Sequence, residues 1–178
     1  MLQKCSIMKV AAVFFNEPTK SHYLIEISRK SKLAHTSAKM HIDELKQMTI
    51  IRESLEKKGA RVFPLYAADF NSVEYKKNKR IYNLLKLEDC GLIEFLKDKL
   101  APKSIVLFGS YVRGEDLEDS DVDLFIEGKK EEMDVQKFEK MLQRRIQLHF
   151  KGNFRDYPAE LKNNILNGLV LSGFLEGY

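Results

Sequence analysis

The chain is poor in cysteine and has no long apolar run, and each absence excludes something. Cys5 and Cys90 stand alone, and without a C-x-x-C pair there is neither a structural zinc site nor a disulfide framework. Both are expected as free thiols. The apolar stretch Val10 to Phe15 is interrupted upstream by Lys9 and ended by Asn16-Glu17-Pro18. It is too short to span a bilayer or to serve as a signal segment, so a cytoplasmic protein without a membrane association is expected. There is no internal repeat and no low-complexity tract, and nothing points to a fibre or a disordered chain.

What is present is ordinary in amount and uneven in placement. At 178 residues the chain holds one large domain or two small ones with modest cores. Its 44% apolar and 31% charged content fits a globular protein slightly rich in charge. Residues 1 to 80 carry sixteen Lys or Arg against eight Asp or Glu, while residues 81 to 178 carry fourteen against eighteen, so a basic half precedes an acidic one. A basic half suits a polyanion such as nucleic acid, and an acidic half suits metal cations. Both are equally compatible with plain solvated surfaces.

Hydrophobic spacing predicts three short helices in the basic half. The first runs from Ser6 to Phe15 with Ile7, Val10, Ala11 and Phe14 on one face, and Pro18 stops it. The second runs from about His22 to Lys30 with Leu24, Ile25 and Ile27 buried. The third runs from about Thr36 to Met48, with Ala38, Ile42 and Leu45 facing a core and Thr36 or Ser37 as N-cap. Two β-rich runs follow, Thr49 to Glu53 and Ala60 to Tyr66, joined by a turn that holds Gly59.

Three helices and a hairpin, with "SHYLIEISRKSKLAHTSAKMHIDELKQMTIIRES" at their centre, resemble a winged helix-turn-helix over roughly residues 1 to 70. That resemblance implies double-stranded DNA as partner, with the third helix in the major groove and the hairpin wing on backbone phosphate. Carried over by position, Thr36, Ser37, Lys39 and Met40 would face the groove, and Arg52, Lys57, Lys58 and Arg61 would lie on the wing. The same fold also serves as a protein-binding or dimerisation module whose basic residues are merely solvated, and a homo-oligomer is expected. A charged helix from about Asn71 to Leu87, with Val73, Tyr75, Ile81, Leu84 and Leu85 apolar, and another from about Glu88 to Leu100 form a helical connector over residues 71 to 100. Lys76, Lys77, Lys79 and Arg80 either extend a nucleic-acid surface or line a solvated helix face.

Residues 101 to 178 carry the chemistry. "SIVLFGS" is an apolar run ending in Gly109-Ser110, as in a central strand followed by a turn. A short helix starting at Ser110 would turn its free amides toward a phosphate, and a glycine lets the backbone approach. Next comes "SDVDLFIEG", in which Val122, Leu124 and Ile126 alternate with Asp121, Asp123, Phe125 and Glu127. Two carboxylates on one face, about 7 Å apart along a strand, repel unless a cation sits with them. Mg²⁺, or Mn²⁺ in its place, suits such oxygen ligands and keeps waters that phosphates can replace. An acidic, solvated strand start is the alternative.

Gly-Ser, ten residues, then Asp-x-Asp: "GSYVRGEDLEDSDVDLFI" resembles the minimal nucleotidyltransferases of the DNA polymerase beta superfamily, over about Lys103 to Leu171. The resemblance implies an α+β fold, with a small mixed sheet flanked by helices behind the winged domain and its connector. It also implies transfer of a nucleoside monophosphate from a nucleoside triphosphate to a hydroxyl acceptor. Gly109 and Ser110 would hold the triphosphate, Asp121 and Asp123 the metal, and Arg113 would lie near the phosphates unless it pairs with Glu115 or Asp116.

One part of the pattern is missing. Active members carry a third acid on a neighbouring strand, here "RRIQLHF" after a helix from about Glu131 to Leu142, and the matching position is Gln147. An amide offers an oxygen but neither charge nor basicity. Glu127 lies about 13 Å along its strand from Asp123, too far to share an ion. Asp156 would have to fold back from its loop, and His149 is either a proton acceptor or a neutral residue of an ordinary sheet. In the last segment Leu161, Ile165, Leu169 and Leu171 sit at near-helical spacing, as in the closing helix of that family. The expected function is therefore an Mg²⁺-dependent nucleotidyltransferase with a DNA-binding domain. The alternative is a DNA-binding regulator or antitoxin-like protein, bound to a small helical partner, whose nucleotide site is degenerate at Gln147.

Overall fold

A computed structural model describes residues 5–152, 154 and 158–175, and the chain divides into two compact units, Met1–Tyr82 and Asn83–Tyr178. Residues 71 to 100, expected as a connector, are shared out: those to Tyr82 belong to the first unit and the rest to the second. Among the described residues no helix is long and apolar enough to cross a membrane.

The first unit runs α1 (Ser6–Asn16), β1 (Ser21–His22), α2 (Leu24–Ser31), α3 (His35–Gln47), β2 (Ile51–Lys58), β3 (Arg61–Ala68) and the start of α4 (Val73–Asp89). Its sheet has the order β1-β3-β2, all antiparallel. The core gathers the predicted stripes: Val10, Ala11 and Phe14 of α1, Ile27 of α2, and Ile42 and Leu45 of α3 close on Ile51, Tyr66 and Tyr75. Fully burying such side chains contributes about 1.5–3 kcal/mol each. Three expectations need correction. Ile25 is 64% exposed, because it follows Leu24 on the turn of α2 that faces away from Ile27. Helix α3 starts one residue earlier than expected, and its N-cap is Ala34 without a side-chain cap, not Thr36 or Ser37. The hairpin strands extend to Lys58 and Ala68, so the hairpin is longer than its β-rich runs suggest.

In the second unit, α4 ends at Asp89 and Gly91 starts α5 (Leu92–Leu100), which places the break later than Glu88. Then come β4 (Ser104–Phe108), α6 (Ser110–Arg113), β5 (Val122–Glu127), α7 (Gln136–Leu142), β6 (Ile146–Lys151), α8 (Ala159–Leu166) and β7 (Leu169–Gly173). The sheet has the order β6-β5-β4-β7, with β5 and β6 parallel and the other pairs antiparallel. It is a small mixed sheet flanked by helices. The alternation in β5 holds: Val122, Leu124 and Ile126 join Ile105 and Leu107 in one core with Leu92, Ile93 and Leu96 of α5 and Phe138 and Leu142 of α7. Phe125 lies on the other face with Val106, Phe108, Phe154 and Ile165.

The closing segment differs from its expected single helix. Ile165 belongs to α8, whereas Leu169 and Leu171 lie on β7, hydrogen-bonded to β4. Their spacing of two is the strand period, and Asn167-Gly168 marks the change. The loop residue Asp156 lies outside the described residues.

Candidate functional site

Strand order brings the two halves of the glycine-serine and Asp-x-Asp pattern together. In the β4–β5 ladder Phe108 is opposite Asp123, so the turn after β4 lies beside the start of β5. Gly109 there has φ 82° and ψ −160°, a region that essentially only glycine occupies. A Cβ at Gly109 would come within 2.5 Å of Asp123 Oδ2. The absent side chain is the space into which that carboxylate leans. Gly109 also precedes α6, whose first amides receive no side-chain cap.

Neither aspartate is fully satisfied. Asp123 Oδ1 is 3.2 Å from His149 Nε2, and the His149 ring packs 5.1 Å from that of Phe108. Gln147 Nε2 donates to Asp121 Oδ2 at 2.5 Å. Asp121 Oδ1 is buried and has no hydrogen-bond partner among the described residues, its nearest cation being Arg145 Nε at 3.8 Å on a side chain 81% exposed. A carboxylate oxygen turned from water without a donor is costly unless a cation is expected there. Gln147 is opposite Asp123 in the β5–β6 ladder, which is where the sequence places the missing acid. Among the described residues no group of three His, Cys, Asp or Glu side chains converges as a metal set.

Arg113 is exposed and already paired. Its Nε donates to Glu115 Oε2 at 2.8 Å on the exposed surface, the pairing its sequence neighbourhood allowed. Glu127, far from Asp121, is buried and receives Ser104 Oγ at 2.9 Å, so it belongs to the core.

Beneath α6 lies a polar cluster that the sequence did not reveal. Asp116, fully buried, accepts from Asn83 Nδ2 at 2.7 Å and from Arg144 Nη2 at 3.3 Å. Asn83 Nδ2 also donates to the Tyr111 carbonyl at 2.9 Å. Lys86 Nζ donates to the Leu142 carbonyl at 2.8 Å, and burial, aided by the Arg144 charge, pulls its pKa down to about 8. These contacts fasten the α6 turn to α4 and thereby fix Gly109. The only sequence signal was Asn83 within the apolar run "IYNLL", and nothing local ties it to Asp116 or Arg144.

In the first unit the expected DNA contacts separate into two groups. Thr36 and Met40 of α3 are exposed and Ser37 half-buried, but the helix's lysines are already paired. Lys39 Nζ lies 2.6 Å from Asp43 Oδ1, a bond that raises the Lys39 pKa, His41 meets Glu44 at 2.9 Å, and Lys46 pairs with Glu53. On the hairpin, Lys58 lies 3.5 Å from Glu56 and 4.6 Å from the Tyr23 ring centroid. Arg52, Lys57 and Arg61 are exposed, and among the described residues no ion pair engages them. A pocket of about 460 Å³ opens beside them, lined by Tyr23, Ile25, His35, Phe63 and Pro64 among others. It is apolar and holds no chemistry-bearing cluster.

Comparison with known proteins bears on the second unit. Residues 89–172 match the family model described as a nucleotidyltransferase domain. A candidate protein adenylyltransferase of Methanocaldococcus jannaschii is 59% identical over 34 residues, which are 19% of this chain and 34% of that protein. The chain thus spans about a third of that curated relative. Among solved structures, a possible transcriptional regulator of Methanosarcina mazei Go1 is similar at 20% identity, covering 53% of this chain and 77% of its own, with a TM-score of 0.37. At that score the likeness supports no conclusion about either unit.

Proposed function

We propose that the second unit binds a nucleoside triphosphate and transfers its nucleoside monophosphate to a hydroxyl acceptor, and that the first unit contacts DNA. The observation that carries the first part is the seating of the Asp123 carboxylate in the space left by Gly109, which puts an acid and an uncapped turn on adjacent strand ends. Gly109 and Ser110 receive the triphosphate. Asp121 and Asp123 hold a divalent cation, Mg²⁺ or Mn²⁺; Asp121 Oδ1, buried without a hydrogen bond, fits that role, and phosphate and water oxygens complete the shell that two carboxylates leave open. When bound, the cation supplies charge neutralisation at the phosphates. The acceptor oxygen bonds to the α-phosphorus as the bond to pyrophosphate breaks, and the acceptor's proton passes to solvent. Arg113, held by Glu115, has no part in this reading unless that pair opens.

A second reading draws on the hydrogen bond from Gln147 to Asp121. It occupies a carboxylate oxygen with a neutral donor where the resemblance expects an acid, which favours nucleotide binding without turnover in a regulator or antitoxin-like protein. Incubation with each α-labelled nucleoside triphosphate, with and without Mg²⁺ or Mn²⁺ and candidate protein acceptors, separates the two. Metal-dependent label transfer that disappears in Asp123→Ala supports the transferase. Retention of nucleotide without label transfer supports the second reading.

For the first unit, the order of three helices and a hairpin supports the winged-helix reading, and Arg52 and Arg61 are exposed cations on its hairpin. A salt-dependent shift of double-stranded DNA that weakens in Arg52→Ala with Arg61→Ala, with a salt slope shallower by about 2, fits phosphate contact. An unchanged slope removes the wing from the reading.

A further inference from the structure

We propose that the outer edge of β2 is a dimerisation edge, pairing antiparallel with β2 of a second copy about a two-fold axis through Leu55. The sheet order β1-β3-β2 leaves β2 at the edge, and among the described residues no strand covers its outer side. The strand is eight residues long, and an uncovered edge of that length exposes a row of backbone donors and acceptors that another strand can satisfy. Its side chains are also unusual for an edge. Leu55 is 71% exposed, and Val62 of β3 is 56% exposed. The ladder sets Leu55 opposite Pro64 and Lys57 opposite Val62, so Leu55, Lys57 and Val62 share one face with Glu53. That face is apolar at its centre and charged at either side.

The charges decide the occupant. A two-fold axis normal to the sheet places a residue opposite its own copy, and alternation then fixes the other pairs. With Leu55 opposite Leu55 of the second copy, Glu53 falls opposite Lys57 and Lys57 opposite Glu53, which gives two cross-strand pairs of opposite sign flanking an apolar contact. Centring one residue earlier sets Leu55 against Glu53, and centring one later sets Glu56 against itself. On the reverse face the same register brings Arg52 opposite Lys58. Lys58 is already compensated by Glu56 at 3.5 Å, while Arg52 and Arg61 stay exposed on that face in both copies and remain open to a polyanion. The sequence around Leu55 is thus complementary to itself, and a second copy of this chain fits it without any other partner.

The test uses the full chain and its charge reversals. Sedimentation at up to about 100 μM, where an association of micromolar strength is populated, is expected to give a species of twice 20.7 kDa. Glu53→Lys alone and Lys57→Glu alone each place like charges across the two-fold axis and weaken association by about tenfold or more. Mixing those two variants, or combining both substitutions in one chain, restores opposite signs and restores the dimer. Far-ultraviolet dichroism confirms that each variant is folded, and the loss of the Lys46 partner in Glu53→Lys is common to the variant alone and in the mixture. A monomer of 20.7 kDa at every concentration overturns the proposal. So does a dimer indifferent to single reversal, or one that mixing fails to recover.

Discussion

Two groups of carboxylates in the second unit differ in how their oxygens are used. Asp116 is fully buried and accepts from Asn83 and Arg144, an ion pair with side chains 1% and 5% exposed. Asp121 and Asp123 are about a quarter exposed, and Asp121 keeps one buried oxygen without a hydrogen bond. Burial of a charge requires that its lone pairs be met. Asp116 is met by the protein and therefore holds structure. Asp121 and Asp123 are met only in part, by an amide, a histidine and the exposed Arg145 guanidinium at 3.8 Å, which leaves them suited to a cation that arrives from outside.

Four changes break or sharpen this contrast. Asp116→Ala leaves Arg144 buried without its carboxylate and is expected to lower stability by about 3–5 kcal/mol, read as an earlier midpoint in urea unfolding. Asp123→Asn leaves the fold intact, with a melting temperature near that of the parent, and lowers metal-dependent nucleotide transfer by about 10²-fold. If Asp123→Asn instead unfolds the unit while Asp116→Ala does not, the two groups have been assigned the wrong way round.

Lys86, beside the Asp116 cluster, gives a pH signature. Its folded pKa of about 8 lies below the 10.5 of an ordinary lysine, so between those values the unfolded chain holds more protons. Stability attributable to Lys86 is therefore lowest below pH 8 and rises as pH climbs towards 10.5, by on the order of 2 kcal/mol. The comparison is parent against Lys86→Met, whose difference should move in the parent's favour across that window. A flat difference would show that the ammonium is solvated. The smallest effect is expected from Gly109→Ala, at roughly 1–2 kcal/mol of stability from the positive φ. Because the new methyl meets Asp123 Oδ2, nucleotide affinity should fall further than that loss alone accounts for, in a titration of the folded variant.

Much of the architecture was legible where local pattern and tertiary role coincide. The alternation in "SDVDLFIEG" correctly set Val122, Leu124 and Ile126 apart from Asp121 and Asp123, although Phe125 and Glu127 on the aspartates' side are buried as well, and the apolar run before Gly109 correctly marked a buried strand. The helical stripes of α1 and α3 likewise found their core. What escaped depends on contacts between distant residues. Leu169 and Leu171 have a spacing that fits a helix stripe in company with Leu161 and Ile165, and only the hydrogen bonds to β4 make them a strand. Asn83, Asp116 and Arg144 come from three separate segments, so nothing local announces their meeting. The basic residues of α3 were visible as charges, but their compensation by Asp43, Glu44 and Glu53 follows from side-chain geometry on and beside the helix. Gln147 was found by its place in a strand, and its donation to Asp121 required the parallel register of β5 and β6.

The most direct test is equilibrium binding of a nucleoside triphosphate by calorimetry, with and without Mg²⁺, in the parent and in Asp121→Asn with Asp123→Asn. The account predicts saturable binding that requires the metal and is lost in the double variant while its melting temperature holds. Binding that needs no metal, or that survives removal of both carboxylates, contradicts it.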